Sequence, residues 1–147
     1  MDGEQLLLYI VAPTLKALGL GGPVAERLVI GTAGHESSGF RFVHQLAGGP
    51  ALSLWQIEPA TYRDLLSNTL PGLRPELRAA VRQFIPDPAP PAERLLSDLA
   101  LGCAVCRLLY YRAPAALPDD PGDVPALAGY WKRWYNTPAG AGTPAQW

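Results

Sequence analysis

The sequence predicts a mainly α fold (α+β in class), with about six helices and one small β-hairpin inserted after the second. Three observations carry that expectation. Apolar residues recur at spacings of three and four through six segments, each bounded by Pro or Gly. A Gly48-Gly49-Pro50 turn separates two short alternating stretches, 40–46 and 52–57, which is the pattern of a hairpin. The segment 92–112 is apolar on more than one face, as a buried central helix is.

Taken in order, Asp2 caps a first helix over 3–18, with Leu6, Leu7, Ile10, Thr14 and Leu18 on one side. Pro13 removes a backbone donor inside it and predicts a kink. Gly19 to Gly22 stop it, and Pro23 suits the first position of a second helix that ends at Ser37-Ser38-Gly39, with Gly39 as its cap. Phe40, Phe42, His44 and Leu46 then alternate with Arg41, Val43 and Gln45 into the expected hairpin. Pro59 opens a third helix over 59–70, and Pro75-Glu76 a fourth over 75–85. The run 86–91 holds four prolines and reads as an extended, stiff connector to the fifth helix, 92–112. A sixth helix covers 124–135, with Leu127, Tyr130, Trp131 and Trp134 three or four apart, and a Gly/Pro-rich tail follows.

With 147 residues, 48% of them hydrophobic, the chain is sized for one domain with its own core. Residues 1–22 form its N-terminal helix and turn, 23–136 its main body and 137–147 its tail. A formal net charge of -1 gives no general attraction to nucleic acid or anionic membrane, and neither is expected as a partner. The apolar stretch near the N-terminus lacks a preceding basic residue and a cleavage site, so no export signal is expected. It is also too short and too interrupted to span a bilayer, so no membrane insertion is expected. Cys103 and Cys106 are the only cysteines, and His35 and His44 the only histidines. Two distant histidines do not complete a metal site, so no metal and no cofactor are expected. At a spacing of three on a helix, both thiols fall on the core stripe.

One residue breaks the apolar pattern. Ala25, Leu28, Val29, Thr32 and Glu36 fall on one face of the second helix, so a carboxylate stands where another Leu or Val belongs. Loss of hydration raises the pKa of such a group, and the C-terminal end of the helix dipole opposes its charge further. A carboxyl that keeps its proton near neutrality is what a general acid requires. The competing reading is a half-buried Glu paired with Arg41. Around Glu36 the chain supplies groups that suit a sugar polymer. Trp55, Tyr62, Tyr130, Trp131, Trp134 and Tyr135 offer stacking faces, with helical core packing as their alternative, while Gln45, Gln56 and Asn136 offer amides. Glu58 and Asp64 are the candidates for a second acid. Glu58 sits where a helix start favours an acid for dipole reasons alone, and Asp64 falls on a solvated helix face.

Three segments resemble the motifs of soluble lytic transglycosylases, a goose-type lysozyme-like family. These are Glu36-Ser37-Ser38-Gly39-Phe40, Leu54-Trp55-Gln56-Ile57-Glu58-Pro59-Ala60-Thr61 and Ala126-Leu127-Ala128-Gly129-Tyr130. The family patterns are E-S-x-F, G-L-M-Q-x-x-P-x-T-A and A-Y-N-A-G. The stretch from Gly48 to Thr61 and the run Tyr130-Trp131-Lys132-Arg133-Trp134-Tyr135-Asn136-Thr137 resemble small lysozyme-like proteins of tailed bacteriophages. The resemblance implies a lysozyme-like fold and cleavage of the β-1,4 bond between N-acetylmuramic acid and N-acetylglucosamine. It implies Glu36 as a lone general acid/base helped by the substrate's N-acetyl group, a route outside the two-carboxylate rule. It further implies substrate-binding roles for Ser37, Gln56, Trp55, Tyr130, Tyr135 and Asn136. Peptidoglycan glycan strands would be the partner, with other phage tail proteins alongside them if the chain is carried in a virion. Synthesis would be in a host cytoplasm, and action would be on the periplasmic wall. The alternative is a tail structural or adaptor protein that keeps the fold with little or no activity. The chain departs from the family at Ser53, where Gly is usual, at Trp55 for Met, at Glu58, a place often apolar, and at Trp131 for Asn; a Ser53 side chain that closed the cleft would weaken or abolish catalysis. The Tyr-Asn pair comes later, at Tyr135-Asn136, so the motif leaves two tyrosines in competition for the acid.

Overall fold

The computed structural model describes residues 1–137 and 140–147; two residues of the expected tail, 138 and 139, lie outside these. Among the described residues the chain is mainly helical, with six helices and no strand. The first, α1, occupies residues 3–18 and is capped by Asp2, whose carboxylate accepts from the Gln5 N–H at 3.0 Å. The disturbance expected at Pro13 takes the form of a π-helical turn just before it, Leu7–Val11, in which the Ala12 N–H reaches back to the Leu7 carbonyl. Widening the ladder by one residue accommodates a ring that cannot donate. Gly19, at φ +70, then ends the helix.

The second helix, α2, is Pro23–Glu36. It buries Ala25, Leu28, Val29, Thr32 and Ala33, the stripe read from the sequence, and delivers Glu36 at its last position. Its end closes as expected around Gly39, which has φ +77 and donates to the Gly34 carbonyl at 2.7 Å. Phe40 turns back onto this helix, where a methyl group on Gly34 would lie 3.2 Å from its ring.

The hairpin expected over 40–57 is not formed as a ladder. What replaces it is two isolated antiparallel bridges, His44 with Leu52 and Leu52 with Ile57. The second expected strand is interrupted by its own turn, because the Leu52 and Ile57 backbones bond each other at 2.9 and 2.7 Å around 53–56. Ser53 and Gln56 sit at φ +69 and +48, and Ala47 at +59. Left-handed backbone at three non-glycine residues breaks the extended run that alternation implied.

Three more helices complete the core. In α3, residues 59–72, a second π turn, Leu65–Thr69, leads into the one-turn Leu70–Gly72. The fourth, α4, is Pro75–Val81, shorter than expected because turns take over from Arg82. The expected fifth helix is split. A 3-10 turn, Ala92–Leu96, is followed by a break at Ser97-Asp98, and α5 proper is Leu99–Tyr111. Asp98 is its N-cap, accepting from the Leu101 N–H at 2.9 Å. Every residue from Leu101 to Tyr110 is buried, so α5 is the central helix that the sequence indicated. Cys103 and Cys106 lie in it as free, buried core residues. The last helix, α6, runs over 124–136 and ends in a third π turn, Lys132–Asn136, before Thr137 at φ +69. No helix among the described residues is long and apolar enough to cross a membrane.

Candidate active site

The end of α2, the 42–58 segment, the end of α5 and the π turn of α6 enclose a cleft of about 750 Å³. Glu36 opens onto it, together with Gln56, Tyr135, Asn136, Trp134 and Arg112. Glu36 is half-buried, and its Oε1 accepts from the indole N–H of Trp131 at 2.9 Å. Arg41, the ion-pair partner that the competing reading offers, lies instead over the Phe42 ring at 5.5 Å. Burial pushes the Glu36 pKa up from its ordinary 4.5, outweighing the Trp131 hydrogen bond and the nearby His35, which both pull it down.

Beneath the carboxyl lies an enclosed polar cluster. Thr32 and Tyr110 share a hydrogen bond of 2.7 Å, and the Tyr110 and Tyr135 rings stack at 5.2 Å. Burial holds the Tyr110, Tyr135 and Cys106 pKa values well above their ordinary range, and the charge of Glu36 adds to each in the same direction. These groups stay neutral, so none of them offers Glu36 a counter-charge.

Of the residues expected to bind substrate, the structure brings Gln56, Tyr135 and Asn136 to the cleft. The Gln56 amide also donates to the Ser53 carbonyl at 2.9 Å, which fixes its rotamer. Asn136 accepts from Lys132 Nζ at 2.8 Å. Of the two tyrosines, Tyr135 is the one that shares the cleft with Glu36, and its hydroxyl donates to the Trp55 carbonyl at 2.6 Å.

Three others do not line the cleft. Ser37 is fully buried and bonds back to the Ala33 carbonyl at 2.6 Å, as a serine at a helix end does when no other acceptor is offered. Trp55 is fully buried, with its indole N–H on the Val29 carbonyl at 2.9 Å, so it is core rather than platform. Tyr130 points its hydroxyl to the Ala115 carbonyl at 2.8 Å, away from Glu36. Ser53 does not close the cleft either. Its Oγ faces inward to accept from the Trp55 N–H at 3.0 Å, and its φ of +69 is a conformation that favours the family's glycine.

The sequence reading missed the hydrogen bond from Trp131 to Glu36 and the place of Arg112 on the cleft wall. Helical spacing of Trp131 from Leu127 read as core packing, and the residue is indeed fully buried, yet its single polar atom reaches the acid. Nothing in the sequence pairs residue 131 with residue 36. Asp64 is exposed, and hydrogen bonds from Asn68 and then Arg112 hold its pKa down, which makes it a poor proton donor. Glu58 shares the cleft but is exposed.

The fold and site thus define a mainly α domain with a half-buried carboxyl of raised pKa opening into a polar cleft. No family model, no characterised protein and no solved structure matches the chain.

The raised pKa has a signed consequence for stability. Because the folded state holds the Glu36 proton more tightly than the unfolded state, folding is favoured below about pH 4.5 and loses stability as pH rises through the folded-state pKa. Above that pKa the burden of a buried charge is complete. Glu36→Gln removes it. The melting temperature of the variant is therefore expected to gain on the wild type as pH rises from about 4.5 through the folded-state pKa. Parallel melting curves across that window would mean that Glu36 titrates as an exposed glutamate.

Proposed function

We propose that the chain is a peptidoglycan-cleaving glycosidase with a lysozyme-like fold, of the lytic transglycosylase or muramidase type, using Glu36 as its only acid/base. The observation that carries this reading is the carboxyl itself: half-buried, raised in pKa, held by Trp131 and open to a cleft able to take several sugar rings. Glu36 donates its proton to the glycosidic oxygen as the bond from that oxygen to the anomeric carbon of the muramyl unit breaks. The carbonyl oxygen of that unit's own N-acetyl group closes on the anomeric carbon and carries the positive charge. Glu36, now a carboxylate, takes a proton either from the C6 hydroxyl, giving a 1,6-anhydro ring, or from water, giving a reducing end. Each route returns the acid protonated, so no second carboxylate is required, in keeping with the exposed positions of Glu58 and Asp64.

Gln56 and Asn136 supply amides to sugar hydroxyl and N-acetyl groups, and Trp134 a partly exposed aromatic face. Bacteriophage origin and a role in wall penetration or lysis belong to the same proposal and rest on the motif resemblance. The second reading, a tail structural or adaptor protein, is favoured by the exposed Leu8 and Tyr9 on α1. The two are separated by incubating the chain with purified peptidoglycan and taking mass spectra of the soluble products. Anhydro-muropeptides are expected. Reducing ends alone would remove the transglycosylase label, and no product at all would favour the structural reading.

A further inference from the structure

The segment 140–147 folds back across the two helices that hold the acid. Its 3-10 turn, Pro144–Gln146, is fixed by a capping box between Thr143 and Gln146. The Gln146 carbonyl lies 3.0 Å from His35 Nδ1. His35 meets the Trp131 ring edge-on at 4.4 Å between centroids, and Trp131 donates to Glu36. Two glycines make the approach possible. A methyl group on Gly31 would collide with the Trp147 indole, and one on Gly142 with the outer edge of Trp131. At the start of the segment, Lys132 Nζ reaches the Gly140 carbonyl at 2.7 Å while also holding Asn136. The indole N–H of Trp147 is buried without a partner, so the ring is seated by shape and contact rather than by a hydrogen bond.

We propose that Trp147 and Gln146 are positioning residues for the acid, clamping His35 and Trp131 so that the Trp131 indole stays over Glu36 and keeps water from it. The inference rests on reading Glu36 as the catalytic acid, but it concerns how that carboxyl is held. Besides His35 on α2, the titratable groups facing Glu36 are Cys106 and Tyr110 on α5 and Tyr135 on α6. Among the described residues, His35 is the one group of these four to which the segment makes a hydrogen bond. Loosening the clamp thus admits water to Glu36, and since burial is the largest influence on that carboxyl, its titration midpoint should fall toward 4.5.

The test uses the full chain in three forms: Trp147→Ala, Trp147→Phe and Gly31→Ala. The last gains helix propensity while displacing the indole, so it keeps the question answerable if Trp147→Ala does not fold. The Glu36 carboxyl is titrated by carbon-13 NMR, and kcat and KM are measured separately on peptidoglycan. Trp147→Ala and Gly31→Ala are expected to lower the midpoint and to reduce kcat by on the order of tenfold, with KM changed less than about twofold. Trp147→Phe, which keeps the packing and drops the unpartnered N–H, should restore both. An unchanged midpoint in the two disrupting variants overturns the clamp whatever the enzyme assay gives. A wild type that titrates high and shifts as described, yet releases no muropeptides, overturns the enzymatic reading and leaves the clamp standing.

Discussion

Glu36→Gln is expected to lower kcat on peptidoglycan by on the order of 10²- to 10⁴-fold, the usual contribution of a positioned general acid, with the fold intact. The amide matches the carboxyl in shape, and its oxygen can still accept from the Trp131 N–H, now at 2.9 Å to Oε1. What it cannot do is release a proton to the glycosidic oxygen or recover one afterwards. The loss should therefore fall on kcat, with KM nearly unchanged, because Gln56, Asn136 and Trp134 still line the cleft. Stability moves the other way, since the variant no longer carries a carboxylate in a site that disfavours its charge. This opposition is diagnostic. A purely structural Glu36 predicts the stability gain with no change in any glycan-cleaving activity. A contaminating hydrolase predicts activity that survives in the variant preparation. Dye-release or turbidity kinetics on matched preparations decide among these, and residual activity above about one tenth of wild type would sink the assignment of the acid.

The parts of this site that could be read from the sequence are those carried by a period. Glu36 stood out because it continues the face of Ala25, Leu28, Val29 and Thr32 at a 3.6-residue repeat, and all four of those residues are buried in the structure. The central helix was legible for the same reason, although its start was set too early. Ser97-Asp98 is a short cap embedded in an apolar run, and the Leu95 and Leu96 before it keep the helical rhythm across the break. The hairpin failed for a different reason. Alternation reports which side of an extended chain is apolar, but left-handed backbone at Ala47, Ser53 and Gln56 is not announced by those residue types. The two tyrosines show the limit of spacing most directly. Tyr130 and Tyr135 are roughly 140° apart on a regular helix, so one of them must face away. The π turn Lys132–Asn136 then decides which, and no proline or glycine lies within it to give notice. Substrate roles assigned through the motif resemblance divide along the same line. Gln56 and Asn136 reach the cleft, whereas Ser37 and Trp55 are claimed by nearby backbone carbonyls.

Trp55→Ala is expected to destabilise the protein by about 3–5 kcal/mol, the range for removing a large buried aromatic. For a chain of this size that is a fall in melting temperature of roughly 10–20 °C. Trp55 is fully buried and is wedged between α2 and α5: its indole N–H holds the Val29 carbonyl, and its ring edge lies 3.1 Å from where a methyl on Gly102 would stand. Its own carbonyl accepts from the Tyr135 hydroxyl, so one residue ties the turn bearing Gln56 to three helices. Trp55→Phe separates packing from hydrogen bonding. It keeps most of the apolar contact but drops the indole bond to the Val29 carbonyl, which retains its place in the α2 ladder, for an expected loss of about 0.5–1.5 kcal/mol from that bond. Were Trp55 a sugar-stacking platform instead, both substitutions would raise KM on glycan while barely moving the melting temperature. The core position predicts the reverse order. Stability falls first, and the site degrades only as Gln56 and Tyr135 lose the backbone on which they are set. Thermal melts and KM measured on the same two variants distinguish these outcomes. A melting temperature within about 2 °C of wild type for Trp55→Ala would return Trp55 to the substrate side.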